Sequence, residues 1–221
     1  MEYGIYPYVS KETKKCEIRI LKVNGRGMVE AEPDMAVISL GVITKNKNPE
    51  IAQNLNEEIS RRLINALLQL GVAKQDIKTS SYTIYPEYDY IEGTQILTGY
   101  NVTHNLEIKV KDISMVGEVI NTAVKNGANQ INKVDFTLKD DKYHYNQALK
   151  LAVKEAASKA QAITAAMKVN FDSIPCSITE QSASFTPLLE QSAMKLAAAA
   201  PVVPGKIEII ATVEAEFQYW G

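Results

Sequence analysis

Residues 79–110 constrain the fold more than any other stretch, because they form two extended runs joined by a turn. In the second run Tyr100, Val102, His104, Leu106, Ile108 and Val110 share one side, while Asn101, Thr103, Asn105, Glu107 and Lys109 share the other. That alternation marks a strand buried on one face. Glu92-Gly93-Thr94 supplies the turn, so Thr79 to Tyr90 is the other arm of a hairpin. Pro86 lies in that arm and has no N–H for a ladder, which places the arm at a sheet edge or makes it bulge. Five of the eleven tyrosines, Tyr82, Tyr85, Tyr88, Tyr90 and Tyr100, sit in the hairpin.

The rest of the chain reads outward from this unit. Residues 1–15 have no period and read as a flexible arm. Cys16 to Val23 is β-branched and apolar, Asn24-Gly25-Arg26-Gly27 interrupts, and Ala36, Ile38, Leu40 and Val42 then alternate, with a bend at Glu32-Pro33-Asp34 between two strands. Asn48 and Pro49 open a helix with Ile51, Leu55, Ile59, Leu63, Leu67 and Leu70 at helical spacing, and Gly71 ends it. After the hairpin, Asp112 caps a second helix through Ile113, Val116, Ile120 and Val124, which stops at Asn126-Gly127. Val134, Phe136 and Leu138 form a strand. Asp140-Asp141 then opens the longest helix, to Met167, whose stripe of Ala148, Ala152, Ala156 and Ala160 predicts a close approach to its neighbour. Residues 174–179 and Ile207 to Tyr219 read as strands, with an insertion at 182–205 between them that holds a short helix from about Thr186 to Ala199. The order ββαββαβαββ predicts an α+β fold with antiparallel-rich sheets and a middle, Ala36 to Leu138, ordered as a split βαβ motif.

Chemistry is sparse. With 24 basic and 26 acidic residues the chain has no field to gather nucleic acid or anionic lipid, and the hairpin is itself acidic at Glu87, Asp89 and Glu92. Its tyrosines therefore suit a sheet face or an interface better than base stacking. No run of about 18 apolar residues predicts a membrane span. No secretory leader is visible, so a cytoplasmic location is expected, or a periplasmic or secreted one if a leader has been removed. Cys16 and Cys176 are too few for a disulfide framework and are expected to pack as small apolar residues. His104 reads as a hydrogen-bonded core or rim histidine, His144 as a surface or packing residue, and Asp140-Asp141 as acids at a helix N-terminus. Gly25-Arg26-Gly27 is followed by Met28-Val29-Glu30 and not by a helix, so it is no phosphate loop. No catalytic residue, cofactor-binding residue or metal ligand is assigned. In the insertion, Leu188, Leu189, Met194 and Leu196 with five alanines leave almost no polar face, which predicts burial in a homo-oligomer contact.

Several segments, taken together and in order, resemble the SIMPL-domain family, whose bacterial members include periplasmic immunogenic and oxidative-stress defence proteins. They are Val23-Asn24-Gly25-Arg26-Gly27, Glu32-Pro33-Asp34, Gly71-Val72 with Asp76-Ile77-Lys78-Thr79, Tyr82 with Tyr85-Pro86-Glu87-Tyr88-Asp89-Tyr90, Gly99-Tyr100, and Gly127-Ala128-Asn129. Phe136, the alanine-rich helix and Pro204-Gly205 fit as well, so the likeness runs from about Ile20 to Phe217. The resemblance implies an α+β domain that assembles into large oligomers, without an established enzymatic activity or cofactor. The expected function is a non-enzymatic, self-assembling protein such as a stress-related scaffold. The alternative is a small-ligand-binding or hydrolytic domain with a cleft near His104 and the hairpin tyrosines.

Overall fold

The computed structural model describes residues 19–91, 93–181 and 205–221. The N-terminal arm, Cys16, and the insertion apart from Gly205, with Leu188, Leu189, Met194 and Leu196, lie outside the described residues. The elements are β1 (Arg19–Ala31), β2 (Met35–Asn46), α1 (Pro49–Gln69), β3 (Ile77–Ile91), β4 (Thr94–Val110), α2 (Val116–Lys125), β5 (Gln130–Thr137), α3 (Asp141–Met167), β6 (Asn170–Phe171), β7 (Ser177–Gln181) and β8 (Ile207–Trp220). This is the expected α+β architecture with one further short strand, β6, which at two residues is too brief to carry an alternation. The described residues fall into two compact units, one of 30–141 with 205–208 and one of 19–29, 142–181 and 209–221.

In the first unit the sheet order is β3-β4-β2-β5, the order of a split βαβ motif. All three pairings are antiparallel. Pro86 lies in β3, the outer strand, beside a register shift at Glu87/Tyr88, as its missing N–H requires. Gly93 takes the turn with φ at 79°. The helix-side face buries Ile38, Leu40, Val42, Leu106 and Ile108 against Leu63 and Leu67 of α1 and Val116, Val119 and Ala123 of α2. Asn48 caps α1 by accepting the Glu50 N–H at 2.8 Å, and the helix closes through Gly71 at a φ of 103°.

Three side-chain amides extend this sheet beyond its ladders. Asn129 accepts the Ile43 N–H at 2.8 Å and donates to the Ile43 carbonyl at 2.7 Å, standing where a partner strand's peptide would. On the other face, Asn132 of β5 donates to Asn105 of β4 at 3.3 Å across the intervening β2, and Asn105 donates to Ser81 of β3 at 2.9 Å. Gly41 of β2 leaves room for this strap, since a Cβ there would overlap the Asn105 side-chain oxygen.

In the second unit β1 and β8 pair, and β6 and β7 both pair with β8. The expected interruption at Asn24-Gly25-Arg26-Gly27 is corrected: β1 runs straight through it. The glycines face α3, where a Cβ on Gly25 would overlap the Ala152 carbonyl oxygen and one on Gly27 that of Ala148. Glycine on the strand and alanine on the helix are two halves of one close contact. Ala148, Ala152, Ala156 and Ala160 are accordingly buried, as are Ile209, Ala211, Val213, Ala215 and Phe217 of β8, the strand next to β1. The expectation that Cys176 packs as a small apolar residue also fails, because it is exposed just before β7, a strand with all five residues exposed. Tyr145 of α3 reaches β7 by donating to Glu180 at 2.6 Å, which pushes its phenol up to about 12.

Gly27→Ala is expected to lower stability by about 1–3 kcal/mol through overpacking against the helix backbone. Gly117→Ala, where a Cβ meets nothing within 4 Å, should leave the melting temperature unchanged or raise it. Thermal unfolding of both variants checks the contrast.

Candidate functional site

Helix α1 meets the sheet in two different ways. Toward its C-terminus it buries Leu63 and Leu67, but up to its middle the buried residues are Ala52, Asn56 and Ser60. Ile51 and Leu55, expected on the core side, are 52% and 43% exposed. The apolar 51-55-59 pattern lies one residue away from the stripe 52-56-60-63-67 that faces the strands. The reason is polar: Asn56 donates to the carbonyls of Val42 in β2 at 2.9 Å and Val102 in β4 at 3.0 Å, which fixes which side of the helix turns inward. Thr44 adds a buried bond to the Ala52 carbonyl at 2.7 Å.

This network continues to His104. Ser60 donates to the Asn56 side-chain oxygen at 3.2 Å, the ring Nδ1 of His104 lies 2.9 Å from Ser60 Oγ, and Nε2 lies 2.9 Å from Thr79 Oγ1. Asn56 has both amide hydrogens on carbonyls, so its oxygen is the acceptor, and the Ser60 hydrogen goes to it. Ser60 Oγ then accepts from Nδ1–H, which leaves Nε2 as the acceptor for the Thr79 hydroxyl. Both ring nitrogens are thus occupied, with the neutral Nδ1–H form favoured by desolvation, and His104 ties α1 to the β3–β4 pair. Desolvation lowers its pKa from the ordinary 6.5. The Tyr82 ring meets the imidazole edge-on at 5.4 Å. Desolvation, with Glu57 adding to it, raises the Tyr82 phenol.

Beside this network lies a cleft of about 430 Å³ lined by Glu57, Ser60, Arg61, Ile64, Asn65, Tyr82 and His104. It is the cleft expected near His104, but of the hairpin tyrosines only Tyr82 lines it. Tyr85, Tyr88 and Tyr90 are exposed farther along the hairpin. Asn56, Ser60 and Thr79 are not visible from motif searching. Their signal is a polar pair four residues apart on the helical stripe that continues through Leu63 and Leu67. His144 stacks edge-on with Tyr143 at 5.3 Å at the start of α3, in keeping with a packing role. Among the described residues no group of three or more His, Cys, Asp or Glu could hold a metal ion.

The SIMPL family, described as a protein of unknown function (DUF541), matches residues 21–217. The 26 kDa periplasmic immunogenic protein of Brucella melitensis is 30% identical over 154 residues, 67% of this chain and 62% of that protein. Its Brucella abortus counterpart has the same identity and coverage. The uncharacterized protein YggE of Escherichia coli K12 is 28% identical over 138 residues, 62% of this chain and 56% of that protein. The matches thus span less than two thirds of these relatives' own lengths.

Because the folded His104 pKa is lowered, the unfolded chain binds the proton more readily as pH falls through about 6.5. Stability contributed by the neutral imidazole is present above that range and is lost as pH falls from about 6.5 to the folded value. The melting temperature should drop more between pH 7.5 and 5.5 in the parent than in His104→Gln, and equal slopes would count against the assignment.

Proposed function

The chain belongs to the SIMPL family, and from that premise we propose that it is a non-enzymatic protein that works by self-assembly through the tip of its hairpin. One observation carries this. Pairing between β2 and β4 ends at Asn46 opposite Tyr100, while β3 and β4 continue to Ile91 opposite Thr94. Beyond Tyr100 the hairpin is a two-stranded ribbon, and Tyr88, Tyr90, Ile96 and Leu97 are 44–74% exposed on it. Two-stranded ribbons are marginal in water without something packed against them, and exposed apolar groups of this size mark interaction sites. The Tyr88–Leu97 and Asp89–Ile96 pairs place apolar groups on both faces of the ribbon. Two copies related by a two-fold axis can cover each other there.

The polar network supports the non-enzymatic part of the reading. Ser60 gives its hydrogen to Asn56 and accepts from His104, so the imidazole is not placed to draw a proton from it, as a hydrolytic pair needs. The second reading is small-ligand binding in the cleft of about 430 Å³ beside His104. The names of the Brucella relatives support a periplasmic location over a cytoplasmic one. A stress-related role rests on the family resemblance alone.

Light scattering on the purified protein is expected to give a mass well above the 24.4 kDa of one chain. Tyr88→Ser with Leu97→Ser should lower that mass while circular dichroism stays the same. A monomeric parent, or a folded variant of unchanged mass, would sink the proposal.

A further inference from the structure

The long-helix unit carries a device at its sheet edge. β1 ends the described sheet order β1-β8-β6, and an outer strand presents backbone groups to which another strand can add. On β1 two of these groups are already occupied by side chains. The Glu155 carboxylate accepts the Arg26 N–H, and the Lys159 ammonium donates to the Asn24 carbonyl at 2.9 Å. A carbonyl and the N–H two residues on point to the same side of a strand, so these neighbouring bonds engage a single edge. Glu155 and Lys159 are one helical turn apart on α3 and paired with each other at 3.2 Å.

The reach of these side chains follows from the glycine–alanine contact. With no Cβ on Gly25 and Gly27, the α3 backbone lies directly on β1, and the Ala156 nitrogen would be 2.8 Å from a Cβ on Gly25. From that distance the side chains on one flank of α3 fold over the strand edge. The Arg26 N–H is the largest influence holding the Glu155 carboxyl below its ordinary pKa, consistent with an ionised acceptor.

We propose that Glu155 and Lys159 form a clamp that closes the outer edge of β1 to strand addition, and that the partner it excludes is the same edge of a second copy of this chain. Edge-to-edge addition of identical strands about a two-fold axis satisfies both copies at once, so every molecule is a potential partner of every other. The clamp therefore keeps association away from β1 and is separate from the hairpin contact proposed above.

The test uses the full chain with E155A and K159A combined, compared with the parent at the same concentration. Exchange of the Arg26 amide is expected to be about tenfold faster, and the particle mass to rise above that of the parent. Adding Arg26→Pro removes the exposed donor and should return the mass to the parent value, a rescue that lost helix packing would not give. E155L with K159M, which keeps apolar stems but removes the acceptor and the donor, serves if the alanine pair does not fold. A folded variant with parental mass, unchanged Arg26 exchange, or no rescue by Arg26→Pro would each overturn the clamp. The readout is a change relative to the parent, so a monomeric parent would end the hairpin proposal and leave this one intact.

Discussion

The pairing of β2 with β4 governs the hairpin-bearing unit. Eleven consecutive residue pairs, from Ala36 opposite Val110 to Asn46 opposite Tyr100, fix the register. A slip of one residue would turn every side chain of β4 to the other face. In the observed register Leu106 and Ile108 enter the core and His104 comes under α1, within reach of Ser60. The same pairing sets where β2 stops, and among the described residues only β3 and β4 pair beyond Asn46.

Strand and helix identities were legible where one residue class alternated without competition. β4 and β8 show their buried faces in the bare sequence, and the alanine stripe of α3 marks its inner side correctly. The Pro86 edge position follows from chemistry a single residue carries with it. At Ile51 and Leu55 of α1 apolar periodicity points off the buried stripe, because it takes leucine and isoleucine to determine orientation. Asn56 overrides that assumption, since a buried amide with three partners holds its side of the helix more firmly than a rim isoleucine does. The glycines of β1 depart from the sequence expectation for a related reason. A glycine in a strand can mean a break or a close neighbour, and only the partner helix tells which.

The candidate site was legible as one residue and illegible as a network. His104 could be placed on the inner face of its strand, but its partners come from α1 and β3, 44 and 25 residues away in sequence. What those partners do is consistent with a structural histidine. Both ring nitrogens are matched to hydroxyls, and a network of this kind stabilises one arrangement of helix and hairpin.

The Asn129 side chain stands in for a peptide group, with its oxygen on the Ile43 N–H and its nitrogen on the Ile43 carbonyl. This makes the entry to β5 sensitive to chemical ageing of a kind that apolar packing would not feel. Deamidation would replace the amide nitrogen with a second carboxylate oxygen, facing the Ile43 carbonyl with like charge and no donor. The lesion adds no bulk and disturbs no core residue. It would nevertheless unfasten one end of a strand, because the sheet relies there on a side chain that can lose its nitrogen, where a main-chain peptide cannot.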